Sequence, residues 1–174
     1  MNKILIVFIT TLISCSATAQ NLSTIKRVDA VVPYGSKKMS KTDVSSFVKA
    51  NFKYSEIDID KAVVYQNNHL LISYWDIFAN PDFRQKLEKV QKGIVYSIKE
   101  DGHTLDYSKI ITVNGIRYFV IQYEKNNESV IRFYSEIQPD GVNANGIIQF
   151  KKPYEEEAQK ALQELLPTIK FKIN

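Results

Sequence analysis

The sequence predicts an α+β domain in which helices pack on a central antiparallel β-sheet. Residues 110–137 are rich in β-branched and aromatic residues and contain two polar turns, a pattern typical of three antiparallel strands. The first turn is Asn114-Gly115, a pair that tolerates the positive φ angles of a two-residue hairpin. Helical patterns separate this meander from an earlier hairpin and a later strand, and that order favours an antiparallel sheet over a doubly wound parallel one.

The size and composition of the chain predict one domain. Its 174 residues are enough for a single buried core. Hydrophobic residues make up 44% of the chain and charged residues 24%, as in ordinary globular proteins. The formal net charge of +4 is a mild basic excess, so it does not predict a nucleic acid or a membrane surface as the partner. We expect residues 20–174 to form the folded domain.

The first elements after a polar lead-in are a strand and a short helix. An apolar run over residues 28–32 ends at a Pro-Tyr-Gly turn and predicts a strand. Ser40 and Asp43 have the spacing of a capping box. Apolar residues recur after them at helical intervals, which predicts a helix over residues 41–52.

A hairpin and a long helix follow. Residues 62–66 and 70–77 flank a polar turn and predict the two strands of the hairpin. The Asn-Pro pair at position 80 and the apolar stripe after it predict a helix over residues 82–99. Gly93 inside this helix costs on the order of 1 kcal/mol relative to alanine, so we expect it to pack closely against the sheet.

The chain ends with a strand, a helix and a closing strand. Residues 139–146 are dense in turn formers and predict a loop, and residues 147–150 predict a strand. Pro153 opens a helix whose first turn carries three glutamates at the positive end of the helix dipole. Alternating apolar and lysine residues over 169–173 predict the closing strand.

The N-terminus has the pattern of a bacterial secretory signal peptide. A basic start precedes an apolar run over residues 4–13 that is too short to span a bilayer. A small-x-small motif then ends at Ala19, before Gln20. The sequence therefore predicts that residues 1–19 are removed and that the mature protein is periplasmic or secreted.

A second export signal overlaps the first. Leu12-Ile13-Ser14-Cys15 resembles a bacterial lipobox, in which the cysteine carries the lipid and becomes the first residue of the mature protein. Residues 1–14 would then be the leader, and the protein would be a membrane-anchored lipoprotein that meets the membrane only through Cys15. The two outcomes exclude each other, and we favour cleavage after Ala19 because little flexible tether separates Cys15 from foldable sequence.

From residue 77 to residue 173 the chain resembles the Mog1/PsbP-like superfamily. The resemblance consists of the long helix over residues 82–99 and five segments after it: TVNGIRYFVIQYE, IRFYSEI, GIIQF, EEEAQKALQELL and TIKFKI. It implies an α/β/α sandwich on a central antiparallel sheet. It also implies a binding or assembly protein rather than an enzyme, as in the bacterial envelope proteins of this superfamily. No contact motif of the superfamily matches this chain, so no functional residue is carried over.

Candidate catalytic and metal-binding residues are few. His69 and His103 are the two histidines, and neither belongs to an HxH, HExxH or cysteine-histidine spacing. The sequence contains no GxSxG elbow, and its single cysteine lies in the predicted leader. We therefore predict no catalytic residue, metal site or cofactor. A third hypothesis is an enzyme that uses His103 with Asp101 or Asp106.

Carboxylates and amides also cluster at two places in the sequence. Acidic and apolar residues alternate over residues 56–60, and an extended segment would place three carboxylates on one face. Such a face suits a hard cation, but a solvated strand face explains it equally well, and no calcium-loop signature is present. Turn chemistry accounts for the polar residues of the predicted 139–146 loop. These residues are Glu56, Asp58 and Asp60 in the first place, and Asp140, Asn143 and Asn145 in the second.

Aromatic residues on the predicted strands allow two interpretations. They either pack in the core, which strand propensity favours, or line a concave binding surface. The five residues in question are Tyr74, Trp75, Tyr118, Tyr123 and Tyr134.

The sequence predicts an exported, non-enzymatic protein of the bacterial envelope that acts as a binding or assembly module for an envelope protein. The alternative is a carrier of a small hydrophobic or anionic ligand in a pocket between the sheet and a helix. A large apolar cavity with a few convergent polar groups would favour the carrier, and a solid core would favour a protein partner.

Overall fold

The computed structural model describes residues 27–79 and 86–172. The predicted signal peptide, with Cys15, Ala19 and Gln20, lies outside the described residues, as does the predicted start of the long helix. Among the described residues, no helix is long and apolar enough to cross a membrane.

The structure confirms the predicted fold class. In chain order the elements of the described residues are β1 (Val28–Asp29), β2 (Lys37–Lys38), α1 (Lys41–Asn51), β3 (Val63–Asn67), β4 (Leu70–Phe78), α2 (Leu87–Glu100), β5 (Thr104–Val113), β6 (Ile116–Lys125), β7 (Glu128–Ser135), β8 (Val142–Lys151), α3 (Glu155–Leu165) and β9 (Lys170–Phe171). Seven of these strands form one antiparallel sheet in the order β2-β3-β4-β8-β7-β6-β5, and the two short strands β1 and β9 pair with each other.

Helices cover both faces of the seven-stranded sheet. Alternate side chains of each strand point to opposite faces, so each face has its own apolar layer. Helix α3 and the β1-β9 pair pack on one layer, to which Tyr118 and Phe133 contribute. Helices α1 and α2 pack on the other, to which Phe119 and Ile147 contribute. The result is the predicted three-layer sandwich.

Local signals in the sequence are realised in the structure. The Ser40 side chain accepts a hydrogen bond from the Asp43 backbone N–H, and the Asp43 carboxylate accepts one from the Ser40 backbone. The predicted capping box is therefore confirmed, and α1 ends one residue before the predicted end. Asn114 and Gly115 have φ angles of 51° and 80°, which confirms the hairpin turn.

Two strands begin earlier than the sequence predicts. β5 starts at Thr104 and not at residue 110, and β8 starts at Val142 and not at residue 147. The predicted loop over residues 139–146 is therefore wrong for residues 142–146. β8 lies between β4 and β7 and is paired on both sides, so its backbone hydrogen bonds outweigh the turn preference of Asn143 and Asn145.

Other boundaries also differ from the predictions. Within the described residues the first strand spans two residues instead of five, and it pairs with β9, the short remnant of the predicted closing strand. β2 was not predicted. α2 begins at Leu87 because Lys86 has an extended backbone with ψ 142°. Gly93 is exposed, and a Cβ built there would meet no atom within 4 Å, so the predicted close packing of this glycine is wrong.

Candidate functional site

The middle of the sheet carries polar side chains on the face where α1 and α2 pack. α2 packs against β5 and β6, while α1 contributes Val44 to the layer over Val64 and Leu71 of β3 and β4. The strands between them present a charged, amide and aromatic surface. We call this surface the arginine face, and it consists of Ser73, Trp75, Arg132, Tyr134, Asn143 and Asn145.

The strand register brings these residues together. Asn145 of β8 lies opposite Trp75 on one side and Tyr134 on the other. Arg132 precedes Tyr134 by two positions on β7, so both side chains lie on the same face. Arg132 is therefore a diagonal neighbour of Asn145. Such diagonal neighbours lie about 7–8 Å apart between Cα atoms, within reach of one small ligand.

Arg132 is the charged centre of the arginine face. Its Nη1 lies 3.5 Å from Oε2 of Glu56, a residue of the segment between α1 and β3, and its guanidinium lies 5.5 Å from the centre of the Tyr134 ring. The side chains of Arg132 and Glu56 are 27% and 19% exposed. The Tyr123 hydroxyl also donates a hydrogen bond to Glu56. Arg132 therefore holds one carboxylate, and that carboxylate has a second donor.

Burial and neighbouring charges shift the pKa values in this group. Burial raises the pKa of Tyr123 far above its ordinary value, with Glu56 adding to the effect, and burial raises the pKa of Tyr134. Burial alone lowers the pKa of Arg132, but Tyr134, Tyr123 and Glu56 outweigh it, so the net shift is upward. At neutral pH the arginine is therefore cationic and both tyrosines are neutral hydrogen-bonding groups.

Ten buried side-chain polar atoms have no hydrogen-bond partner among the described residues, and three of them belong to the arginine face. These three are Nε of Arg132, Nδ2 of Asn145 and Oδ1 of Asn143, and Asn145 is only 1% exposed. Buried polar atoms in folded proteins nearly always have a partner, so a cluster of free donors and acceptors needs an explanation. A bound molecule that supplies the missing partners is one such explanation.

A second polar group lies on the same face at the end of the sheet. Glu128 Oε1 accepts a hydrogen bond of 2.6 Å from the Lys53 backbone, and Gln149 Nε2 donates one of 2.7 Å to the Tyr54 carbonyl. The His103 ring contacts Tyr54 and Tyr123 edge-on. Burial, together with Glu56 and Glu128, raises the pKa of Tyr54 to about 12. This group links the segment before β3 to the strands beneath it.

The structure separates His103 from Asp106, one of the two partners in the proposed histidine site. His103 faces Tyr123 on the side of α1 and α2, whereas Asp106 lies on the opposite side, where it accepts a hydrogen bond from Gln122 and pairs with Lys152 at 3.7 Å. A β-bulge between Leu105 and Tyr107 inserts Asp106 as the extra residue and turns it toward α3. A catalytic pair of His103 with Asp106 is therefore contradicted.

The carboxylates of residues 56–60 do not form one face. Glu56 pairs with Arg132, Asp58 pairs with Lys61 at 3.2 Å, and Asp60 pairs with Lys41 at 2.6 Å. The segment is not a strand, so the alternation of side chains that the prediction assumed does not apply. Within residues 27–79 and 86–172, no three acidic, histidine or cysteine side chains are close enough to hold a metal ion.

The five aromatic residues occupy both faces of the sheet and do not line one surface. Tyr74 and Tyr118 pack in the layer beneath α3, and Tyr123 is fully buried on the other side. Trp75 and Tyr134 are half-buried and belong to the arginine face. The sequence analysis did not identify Arg132, although a charged residue inside the apolar strand VIRFY was a signal that could have found it.

A polar groove runs along the outer side of α3. Lys152 at its end lies within 4 Å of three carboxylates, those of Asp106, Glu124 and Glu155. The groove has a volume of about 630 Å³ and is lined by Lys152, Pro153, Glu155, Glu156, Gln159, Lys160 and Gln163. It is open and polar, unlike an enclosed apolar ligand pocket.

No protein-family model and no curated protein matches this chain. Its fold is similar to the solution structure of cyanobacterial PsbP (CyanoP) from Synechocystis sp. PCC 6803, with a TM-score of 0.54 and 10% sequence identity. The match covers 86% of this chain and 89% of the cyanobacterial protein. The chain therefore has a PsbP-like fold, which confirms the fold that the sequence resemblance implied.

Proposed function

We propose that this protein is a non-enzymatic binding module exported to the bacterial envelope, and that it binds through the arginine face. The observation that carries the choice of surface is the group of three buried, unpartnered polar atoms on Arg132, Asn143 and Asn145. The secretory pattern of residues 1–19 supports export, to the periplasm or the medium, or to a membrane through Cys15.

The chemistry of the arginine face, and of Tyr123 beside it, favours binding over catalysis. Tyr123 and Tyr134 have raised pKa values, and a tyrosine with a raised pKa is a poor base or nucleophile at neutral pH. Arg132 stays protonated for the same electrostatic reasons. The groups are therefore suited to hold a partner by hydrogen bonds and charge, without proton transfer.

A carrier of a small ligand is the second candidate function. The apolar layers are filled by fully buried side chains such as Phe119 and Phe133, which gives no support to a hydrophobic cargo. The guanidinium of Arg132 and the free Nδ2 of Asn145 instead favour an anionic cargo.

Intact mass measurement on protein from its native envelope tests export and cargo together. Under denaturing conditions, a mass that starts at Gln20 indicates a soluble protein, and a mass that starts at Cys15 with acyl chains indicates a lipoprotein. A mass that retains residues 1–14 contradicts export. Additional mass seen only under gentle conditions supports the carrier, provided that Arg132→Gln abolishes it and Arg117→Gln, an exposed arginine paired with Glu88, retains it.

Photo-cross-linking tests the binding surface itself. A photoreactive amino acid at Ile77, which is 45% exposed beside Asn143, should form a discrete adduct in cells. The same amino acid at Tyr34, on an exposed turn, serves as the control. We expect the Ile77 adduct to be lost with Arg132→Gln. Identical adducts from both positions, or none from Ile77, would contradict a role for the arginine face.

A further inference from the structure

We infer that Arg132 binds the carboxylate of a small ligand with a flat apolar body, and that Glu56 occupies the guanidinium until this ligand displaces it. The inference rests on the proposed function, because it assigns a ligand chemistry to the arginine face. Glu56 is then an internal stand-in for the carboxylate of the ligand.

The first support is the weak contact between Arg132 and Glu56. Strong arginine-carboxylate pairs are bidentate, with two N–H···O bonds of about 2.7–2.9 Å. Here a single contact of 3.5 Å joins Nη1 to Oε2, and the buried Nε has no partner among the described residues. Arg132 therefore has N–H groups that are free to donate hydrogen bonds to a better-placed carboxylate.

The second support is the position of Glu56. It also accepts a hydrogen bond from Tyr123, and its side chain is 19% exposed, so it keeps one partner and has access to water when it leaves Arg132. A buried charge that loses its only partner destabilises a protein, but Glu56 is partly exposed and keeps Tyr123 as a partner. The exchange of one carboxylate for another is therefore inexpensive.

The third support is a second donor beside the guanidinium. Nδ2 of Asn145 is buried and has no partner in the part of the chain that the structure describes, and Asn145 is a diagonal neighbour of Arg132 across β7 and β8. A carboxylate has two oxygens, so one can accept from Arg132 and the other from Asn145. The positive charge of the guanidinium then favours an anion over a neutral group, and Asn145 supplies the second donor.

The aromatic residues specify the remainder of the ligand. Trp75 and Tyr134 lie on either side of Asn145 in the register, and both are half-buried. Tyr134 already stacks on Phe119, with 5.6 Å between the ring centres, and contacts the Arg132 guanidinium. The ring of Trp75 is therefore the flat apolar surface next to the two donors, which suits a planar ring or chain attached to the carboxylate. A small aromatic acid is the simplest molecule with both features.

Tryptophan fluorescence gives a direct test, because Trp75 is the only tryptophan of the chain. The folded full chain is titrated at neutral pH with benzoate and, in parallel, with benzamide, which has the same shape without the charge. We expect a saturable change with benzoate and none with benzamide. An equal response to the two compounds, or no response to either, would overturn the inference.

Substitutions test the exchange between Glu56 and the ligand. Glu56→Gln removes the competing charge, so we expect it to tighten benzoate binding by about tenfold or more, whereas Arg132→Gln should weaken it by a similar factor. Asp60→Asn and Arg117→Gln change an exposed carboxylate and an exposed arginine and should leave binding unchanged. Weaker binding by Glu56→Gln would overturn the role assigned to this residue.

Two milder variants keep the test valid if a charge substitution unfolds the protein. Tyr123→Phe removes only the hydroxyl that holds Glu56, and Arg132→Lys keeps the charge without the planar donors. We expect Tyr123→Phe to weaken benzoate binding, because Glu56 then has no second partner when it leaves Arg132, and Arg132→Lys to weaken it as well. Unchanged binding with Arg132→Lys, or tighter binding with Tyr123→Phe, would overturn the inference. The cross-linking experiment at Ile77 does not depend on a carboxylate in the ligand, so its failure would contradict the proposed function. Failure of the benzoate titration would contradict only the ligand chemistry inferred for Arg132.

Discussion

At the scale of single residues, Gly146 shows how tightly the sheet and the side chains above it fit. A Cβ at this position would overlap the Phe133 ring and lie 2.7 Å from the Ser73 carbonyl oxygen. Phe133 is fully buried and the carbonyl belongs to the adjacent strand, so neither group can move away. We therefore expect Gly146→Ala to lower the free energy of unfolding by about 1–3 kcal/mol, measured by urea denaturation.

Gly93 is the matched control for this substitution. It lies on the exposed side of α2, where an added Cβ meets no atom within 4 Å. Gly93→Ala should raise the free energy of unfolding by about 0.5–1 kcal/mol, because alanine has the higher helix propensity. Equal effects of the two substitutions would mean that Gly146 and Phe133 are not opposite each other.

At the scale of elements, the capping box of α1 contributes measurably to the free energy of unfolding. Ser40 provides the only side-chain cap described for this helix, at 3.1 Å from the Asp43 backbone nitrogen. Ser40→Ala should lower the free energy of unfolding by about 1 kcal/mol, since a backbone N–H at the helix start loses its partner. Urea denaturation monitored by circular dichroism measures the change.

Ser46→Ala tests whether the effect belongs to the cap. Ser46 is exposed within α1, and alanine favours the helix by roughly 0.5 kcal/mol at such a position. The two serine substitutions should therefore change stability in opposite directions. A loss of stability from both would assign the effect of Ser40→Ala to something other than capping.

At the scale of the whole molecule, buried tyrosines predict sensitivity to alkali. Burial raises the pKa of Tyr74 and of Tyr118 to about 12, from an ordinary value of 10. Because the folded state holds these protons more tightly, their contribution is complete below pH 10 and is lost as the pH rises toward 12. We expect a loss on the order of 1 kcal/mol per tyrosine between about pH 10 and pH 12, measured by urea denaturation.

Tyr118→Phe isolates the contribution of one tyrosine. The Tyr118 hydroxyl is buried without a hydrogen-bond partner among the described residues, so its removal should not weaken the fold at neutral pH. The variant should lose less stability than the unmodified protein over the alkaline range. An unchanged pH dependence would show that Tyr118 ionises equally easily in both states.

The sequence predictions were accurate where a structure depends on residues close together in the chain, and less accurate where it depends on distant residues. The capping box of Ser40 and the turn at Asn114 depend on residues three positions apart or less, and both were predicted correctly. β8 was predicted too short because Asn143 and Asn145 favour turns by themselves. Their strand conformation comes from pairing with β4 and β7, which the sequence does not display.

The sequence by itself determined the α+β class and the local turns and caps such as Asn114-Gly115 and Ser40, because each depends on neighbouring residues. Only the tertiary structure decided which polar residues meet. Glu56 and Tyr123 are 67 residues apart in the chain, and the strand order brings both to Arg132. Strand register likewise places Asn145 between Trp75 and Tyr134. Periodicity shows which face a side chain occupies, but pairing between distant strands selects its neighbours.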